Sequence, residues 1–429
     1  MPTLLTVRGG KRLSGTITIA GNKNAATPLI AASLLISGIV RLSNVPRILD
    51  VFNMIELLKG LGSTVEWHGA QELIIDTRQA DIKKLNDDLV KSMRSSVLLI
   101  GPLLARFKTC SLSEPGGCIL GNRPLETHYY ALQQLGATVT VEGRAIHIKA
   151  QKLAPSDIIL PEFSVTATEN TIMAAVQVPG TTIIRGVAIE PHVQELIQFL
   201  NAAGARIIMH PQHRIEIRGV SRLKSVEHRI AGDPNEFATL AVIAATAGGH
   251  IEIRGVRPDH NEMVLLKLKQ AGVDYALSKP NTFQEVAVTV QGLGKGKSYK
   301  PFTVQALPFP GFPTDAESPF TVLATQAQGM SLIHDPLYES RLAHIPDLVR
   351  MGAEAFICDP HRVIIIGKTR LEGQRIKSLS IRAGGTLLAA GLIAHGETVI
   401  SDAEIIDRGY QELDKRLNHL GADITRTET

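Results

Sequence analysis

Five side chains that could do chemistry on a small anion sit at junctions between a strand-like run and an apolar helix. Lys23 and Asn24 follow TITIA and open GNKNAATPLIAASLL (21–35). A lysine at a helix amino terminus adds a point charge to free backbone N–H groups, which suits a phosphate or a carboxylate. Arg94 stands in the first turn of SMRSSVLLIGPLLARF (92–107), and Arg382 opens LSIRAGGTLLAAGLIAHG (379–396) in the same manner. The helix dipole disfavours a cation at that end, so both placements point to an anionic partner, with plain solvation as the alternative. Cys118 lies in EPGGCILGNRPLETH (114–128), on a glycine loop close to Arg123. A thiol there can act as acid or nucleophile, where a cysteine elsewhere is more often a small buried hydrophobe. Asp315, in GFPTDAESPF (311–320), is a carboxylate able to take a proton, or simply a helix N-cap. Together these groups suit a dianionic substrate.

The elements that carry them repeat. An amphipathic helix, a Leu-Gly-Ala-like stop and a strand recur at 54–67, 131–141, 196–209, 265–277, 345–357 and 414–425. Glycine stands where a left-handed helix cap is needed. A second signal alternates with the first: a small-residue turn followed by an apolar strand, as in SGIVRLSNVP, KTCSLSEPGG, PGTTIIRGVAIEP, GGHIEIRGVRPD, GMSLIHDPLYES and GETVISDAEIID. The period predicts an α/β (α+β) module of parallel and antiparallel strands with helices, repeated six times. Six modules divide into two domains of three. We expect residues 1–20 plus 231–429 to form one, with the amino-terminal strand joining the last three modules. Residues 21–230, with the Cys118 loop, would form the other. The Gly-, Lys- and Pro-rich stretch 291–311 reads as a loop approaching a site.

Composition excludes several classes. The formal charge of +4 over 429 residues is too small to indicate nucleic acid, and with 4% aromatic residues stacking platforms are not the main device. Three cysteines without a CxxC pair build neither a disulfide framework nor a structural zinc site. No signal-peptide core and no run of about 18 apolar residues is present, so a soluble, reduced, cytoplasmic protein without membrane partners is expected. No heptad run or low-complexity tail suggests a macromolecular partner, and a monomer is expected.

At these residues the sequence resembles the UDP-N-acetylglucosamine 1-carboxyvinyltransferase family of enolpyruvyl transferases, relatives of EPSP synthase. The motifs are GNKNAA, the GPLLARF helix, PGGC with GNRP, FPTD, and IRAG with DRGY, and the match spans essentially the whole chain. The resemblance implies an inside-out α/β barrel of two three-module domains that close on substrate. It implies transfer of the carboxyvinyl group of phosphoenolpyruvate to the 3-hydroxyl of UDP-N-acetylglucosamine, with release of phosphate and without metal or organic cofactor. That reaction opens peptidoglycan precursor synthesis. Lys23, Arg123 and Arg382 would hold the phosphate and carboxylate of the donor. Asn24, Arg94, Arg123, Pro124, Leu125, Glu126 and Thr127 would contact the nucleotide sugar, as would Ser164, Val165, Leu337 and Arg341. Asp315 would be the base at the sugar hydroxyl. Cys118 would protonate the methylene carbon and be the target of fosfomycin-like epoxides.

Departures from the family pattern concentrate on the acceptor side. Glu162 stands where a lysine is usual, and Thr166 replaces a glycine in EFSVTATENT (162–171). A carboxylate there would repel a diphosphate. GDPNEFATL (232–240) keeps Asp233 and Glu236 but loses the family's arginine and glycine, and Glu114 is gained before Cys118. The 3-phosphoshikimate enolpyruvyl transferases share fold and donor, but their Gly-Asn-Ala-Gly-Thr loop and Lys-Ser signature are absent. The alternatives are a paralogue using another nucleotide sugar or nucleoside and a ligand-binding homologue without turnover; Lys23, Cys118, Asp315 and Arg382 argue against the second.

Overall fold

The computed structural model describes residues 3–84, 87–114, 116, 124–294 and 297–428. Each of the six repeats is a helix followed by a strand. The pairs are Leu49–Gly60 with Thr64–His68, Glu126–Gln134 with Thr138–Glu142, and Pro191–Ala202 with Ile207–His210. They continue with Glu262–Gln270 and Asp274–Leu277, Ile345–Arg350 and Glu354–Asp359, and Leu413–His419 and Ile424–Glu428. Between helix and strand stand Gly62, Gly136, Gly204, Gly272, Gly352 and Gly421, all with positive φ between 80° and 102°. Only glycine adopts that conformation without cost, so the chain leaves each helix at the same angle.

The second signal forms the strands Ile39–Ser43, Thr109–Ser113, Thr181–Arg185, Gly248–Val256, Gly329–His334 and Glu397–Ser401. Among the described residues these organise six sheets, five of four strands and one of three. In the sheet of Gly329–His334, a short parallel strand, Thr303–Gln305, lies on one side. The antiparallel Arg362–Gly367 lies on the other and carries Glu354–Asp359. Among the described residues the same order recurs in three other sheets, the three-stranded sheet lacks the parallel strand, and the last sheet carries one informative change. The place beside Ile424–Glu428 is taken by the amino-terminal strand Thr3–Arg8, which also pairs with Glu397–Ser401. Leu13–Thr18 then lies parallel to Gly248–Val256.

Two compact units result. Among the described residues, those up to Ala20 and from Gly232 onward form one, and those from Gly21 to Ala231 form the other. In the first, the helices Pro234–Ala247, Thr314–Thr325 and Ile381–Ile393 pack against one another. Nearly every residue of all three is buried, which is why they read as apolar all round rather than on one stripe. In the second, Lys23–Ala32, Ile100–Phe107 and Val165–Ala175 take the equivalent interior place. Each unit is thus built with helices inside and sheets outside.

Two segments differ from the reading of the sequence. The expected helix 92–107 is divided into Asp87–Ser92, a 3-10 stretch Arg94–Leu99 and the α-helix Ile100–Phe107. Pro102 has no N–H to bond four residues back, and the Gly101 N–H donates instead to Asn170 Oδ1 at 2.6 Å. The 291–311 stretch is anchored rather than a plain loop. Tyr299 is buried and donates to the Ala245 carbonyl at 2.6 Å, and Phe302 is buried beside it. No helix among the described residues is long and apolar enough to cross a membrane.

At Gly204 (φ 102°) an added Cβ would meet nothing within 4 Å, so a substitution there isolates the backbone cost. Gly204→Ala should lower the stability of its unit by about 1–2 kcal/mol, the cost of a left-handed conformation in an L-residue, read from the urea midpoint.

Candidate active site

The unit holding Gly232 onward builds its site on the ends of the three interior helices. Pro313 ends an extended segment and caps the Thr314–Thr325 helix, so Asp315 is not the N-cap but the second residue of the first turn. Its carboxylate is spanned by two arginines. Arg341 Nη2 donates to Oδ1 at 2.9 Å and Arg382 Nη2 donates to Oδ2 at 3.0 Å. Arg382 is the second residue of the Ile381–Ile393 helix, whose N-cap Ser380 accepts from the Ala383 N–H. The dipole cost of a cation there is offset by the carboxylate. Burial opposes the charge on Arg382, but Asp315, Tyr410 and Asp233 outweigh it and hold its pKa above the ordinary arginine value. Its guanidinium lies 5.5 Å from the centre of the Tyr410 ring, and the Tyr410 hydroxyl meets Thr239 Oγ1 at 2.8 Å.

Arg341, 4% exposed, is held from behind. Its Nε donates to Thr314 Oγ1 at 3.1 Å and lies 3.6 Å from Asp335 Oδ2. The Thr314 hydroxyl donates to that same Asp335 oxygen. The other Asp335 oxygen accepts from the N–H groups of Leu337 (2.7 Å) and Tyr338 (3.0 Å). Leu337 itself is partly exposed, so it offers surface where its neighbour Asp335 offers support. Asp335 was invisible in the sequence because nothing local sets it apart from a turn aspartate.

Segment 232–240 shows what its two retained acids do. Asp233 is the N-cap of Pro234–Ala247 and accepts from the Asn235 and Glu236 N–H groups. Burial raises its pKa, opposed by Arg382. Glu236 is 1% exposed and accepts from the Ala20 N–H and from Arg416 Nη1, both at 2.5 Å. Both carboxylates are committed to the fold.

The second unit carries the remaining described candidates. Lys23 is the first residue of its helix, behind the N-cap Asn22, whose Oδ1 accepts from the Asn24 N–H. Its ammonium pairs with Asp50 at 2.7 Å, a residue that sequence reasoning missed. Arg94, Glu114 and Glu126 all act on Tyr129, whose pKa is pushed up to about 12 by burial first and by the two glutamates next, while Arg94 lowers it. Pro124 is exposed and Leu125, the N-cap of Glu126–Gln134, is buried. Thr127 Oγ1 donates to Glu162 Oε1 at 2.9 Å, and Thr166 Oγ1 meets His128 Nε2 at 2.9 Å. The two unusual residues Glu162 and Thr166 are therefore tied to consecutive residues of one helix. Ser164 caps Val165–Ala175 without using its side chain. Cys118 and Arg123 lie outside the described residues.

Residues 7–417 match the EPSP synthase (3-phosphoshikimate 1-carboxyvinyltransferase) family. The chain belongs to that family. Within it, this enolpyruvyl transferase is 37% identical over 429 residues to a UDP-N-acetylglucosamine 1-carboxyvinyltransferase of Borreliella burgdorferi, covering 99% of each chain. It is 38% identical to the protein of the same name from Desulforapulum autotrophicum, again over 99% of each. Its fold is shared with the enolpyruvyl transferase NikO from Streptomyces tendae, at a TM-score of 0.88, 24% identity and coverage of 100% of this chain and 99% of that one.

Removing Arg341 from this transferase should leave Asp335, which has no exposed side-chain surface, without its cation. Arg341→Ala is expected to destabilise its unit by about 3–5 kcal/mol, the cost of breaking a buried ion pair from one side, measured by urea unfolding.

Burial also pushes His344, next to this cluster, down from 6.5 to about 4. Its Nε2 meets Thr321 Oγ1 at 3.0 Å, and that hydroxyl already donates to the Ser318 carbonyl, so the ring is neutral with its proton on Nε2. Between those two pH values only the unfolded chain binds the proton, so stability falls as pH drops from 6.5 towards 4. A His344→Gln variant should show a flatter curve over that window, by up to about 3 kcal/mol, in unfolding experiments at stepped pH.

Proposed function

We propose that this protein transfers the carboxyvinyl group of phosphoenolpyruvate to the 3-hydroxyl of UDP-N-acetylglucosamine, with release of phosphate. The full-length relatives named for that reaction support the reading, and the observation that carries it in the structure is Asp315 held between Arg341 and Arg382. A half-buried carboxylate on a first helical turn, with two buried guanidiniums beside it, offers a proton acceptor and anion-binding charge in one place.

In this reading Lys23, Arg123 and Arg382 bind the phosphate and carboxylate of the donor. Asn24, Arg94, residues 123–127, Ser164, Val165, Leu337 and Arg341 hold the acceptor. Asp315 takes the hydroxyl proton as the oxygen attacks C2 of the enol phosphate, and Cys118 delivers a proton to C3. The product of addition is a tetrahedral phosphate ketal. Its C2–O(phosphate) bond then breaks, a proton leaves the new methyl group, and the C2–C3 double bond returns. Bonds and protons balance without a change of oxidation state. The protein supplies position, charge and two proton transfers. The reading includes action as a monomer in the cytoplasm, at the start of peptidoglycan precursor synthesis.

A second reading keeps the donor and changes the acceptor. It is favoured by Glu162, whose carboxylate takes a hydrogen bond from Thr127 and brings negative charge to the segment where the family binds a diphosphate. A nucleoside or nucleotide sugar with donor groups at that point would suit it better.

Purified protein with phosphoenolpyruvate and UDP-N-acetylglucosamine should release phosphate and give an enolpyruvyl-UDP-sugar by mass. Asp315→Asn and Cys118→Ser should each lower kcat by about 100-fold or more, the range for losing a general acid or base. Turnover only with another nucleotide would establish the second reading, and no phosphate release with any nucleotide would sink both.

A further inference from the structure

Two residues beyond Asp315 on the same helix lies Glu317, fully buried, with neither carboxyl oxygen receiving a hydrogen bond from the described residues. Thr314, three residues earlier and so on the same face of the helix, donates to Asp335, which sets the two carboxyl groups side by side, and the Asp335 side chain is equally closed to solvent. Two carboxylates offer only acceptors to each other. Placed side by side without water, they can coexist only if a proton lies between them. Asp335 already accepts from Thr314 and from the Leu337 and Tyr338 N–H groups, with Arg341 beside it. Glu317 receives no hydrogen bond from any described residue, so the proton belongs on Glu317.

We infer that Glu317 is a positioning residue for the transfer reaction: protonated, it donates to Asp335 and so sets how firmly Arg341 grips Asp315. This rests on Asp315 acting as the base. With the Glu317 proton in place, part of the Asp335 charge is satisfied and Arg341 is free to serve Asp315 at 2.9 Å. Without it, Asp335 competes for Arg341 as a full anion. Asp315 would lose half of its clamp and would hold a proton to higher pH.

The charged groups around the pair agree with one proton there. Arg341 faces it from the segment before Ile345–Arg350, and Arg382 faces Asp315 from its own helix, with Asp233 behind. His344, beside Thr321 one turn along, is neutral. Two cations thus meet Asp315, Asp335 and Asp233. A further ionised carboxylate would leave the buried cluster with a second uncompensated negative charge, where phosphoenolpyruvate must bring more. Burial first and Asp335 second raise the Glu317 pKa well above the ordinary glutamate value, in the same direction.

The test has two arms. In infrared spectra at neutral pH, wild type minus Glu317→Gln should show the C=O stretch of one protonated carboxylic acid; its absence overturns the inference whatever the enzyme turns over. In kinetics, the acid limb of kcat/KM for phosphoenolpyruvate should rise by about one pH unit in Glu317→Leu, a tenfold loss on that limb. Glu317→Gln, which keeps a donor to Asp335, should restore the wild-type limb. A Glu317→Leu enzyme that loses activity with its limb unmoved would make Glu317 a space-filling residue and end the positioning role. If Glu317→Leu does not fold, Glu317→Gln alone still decides, since a displaced limb in that variant contradicts the proton. Failure of the acceptor assignment would show instead as absent turnover in wild type, with the infrared band intact.

Discussion

A half-buried carboxylate proposed to take a proton must not be left alone, and it must not be neutralised for good. Asp315 meets both conditions by sharing itself between two guanidiniums that come from different elements, one oxygen to each. An unpaired charge in that interior would cost several kcal/mol, so the arginines and the aspartate can only be placed together. The rest of the unit follows from this requirement. Arg382 needs a helix start facing inward, Arg341 needs Asp335 and Thr314 behind it, and all need interior helices whose first turns meet.

That is what the inside-out arrangement provides. A helix with small apolar residues on every side, such as Ile381–Ile393, can be surrounded, and its amino end then becomes the polar floor of a site. The six outer sheets have only to cover the helices, and their alternating strands do so with one face. Charge is concentrated at the helix starts, where backbone N–H groups are free of partners. In the other unit the same logic puts Lys23 at a helix start with Asp50 as its counter-ion.

The modular fold was readable from residues because each module repeats one device, a helix closed by glycine in a left-handed conformation before a strand. Gly62, Gly136, Gly204, Gly272, Gly352 and Gly421 mark all six. The continuous helix expected at 92–107 failed for one local and one distant reason, Pro102 within it and the Asn170 side chain, 69 residues from Gly101, that takes the Gly101 N–H. For the site, helix starts drew attention to Lys23, Arg94, Asp315 and Arg382, and the structure makes a single cluster of two of them. Asp335, Glu317 and Asp50 could not be read, because their significance comes from what folding places next to them. Glu162 and Thr166 stood out as odd residues, and their partners Thr127 and His128 emerged only with the helix that aligns them.

The strand Thr3–Arg8 lies between Glu397–Ser401 and Ile424–Glu428, so the first strand made is completed by the last. The described residues of the other unit all lie between Gly21 and Ala231, so that unit can close while synthesis proceeds. The unit holding Thr3–Arg8 cannot seal its first sheet until the final strand has left the ribosome. Its amino-terminal strand must wait with open edges, and of its outward-facing Leu4, Thr6 and Arg8 the charged Arg8 is the kind of residue that disfavours pairing with another chain.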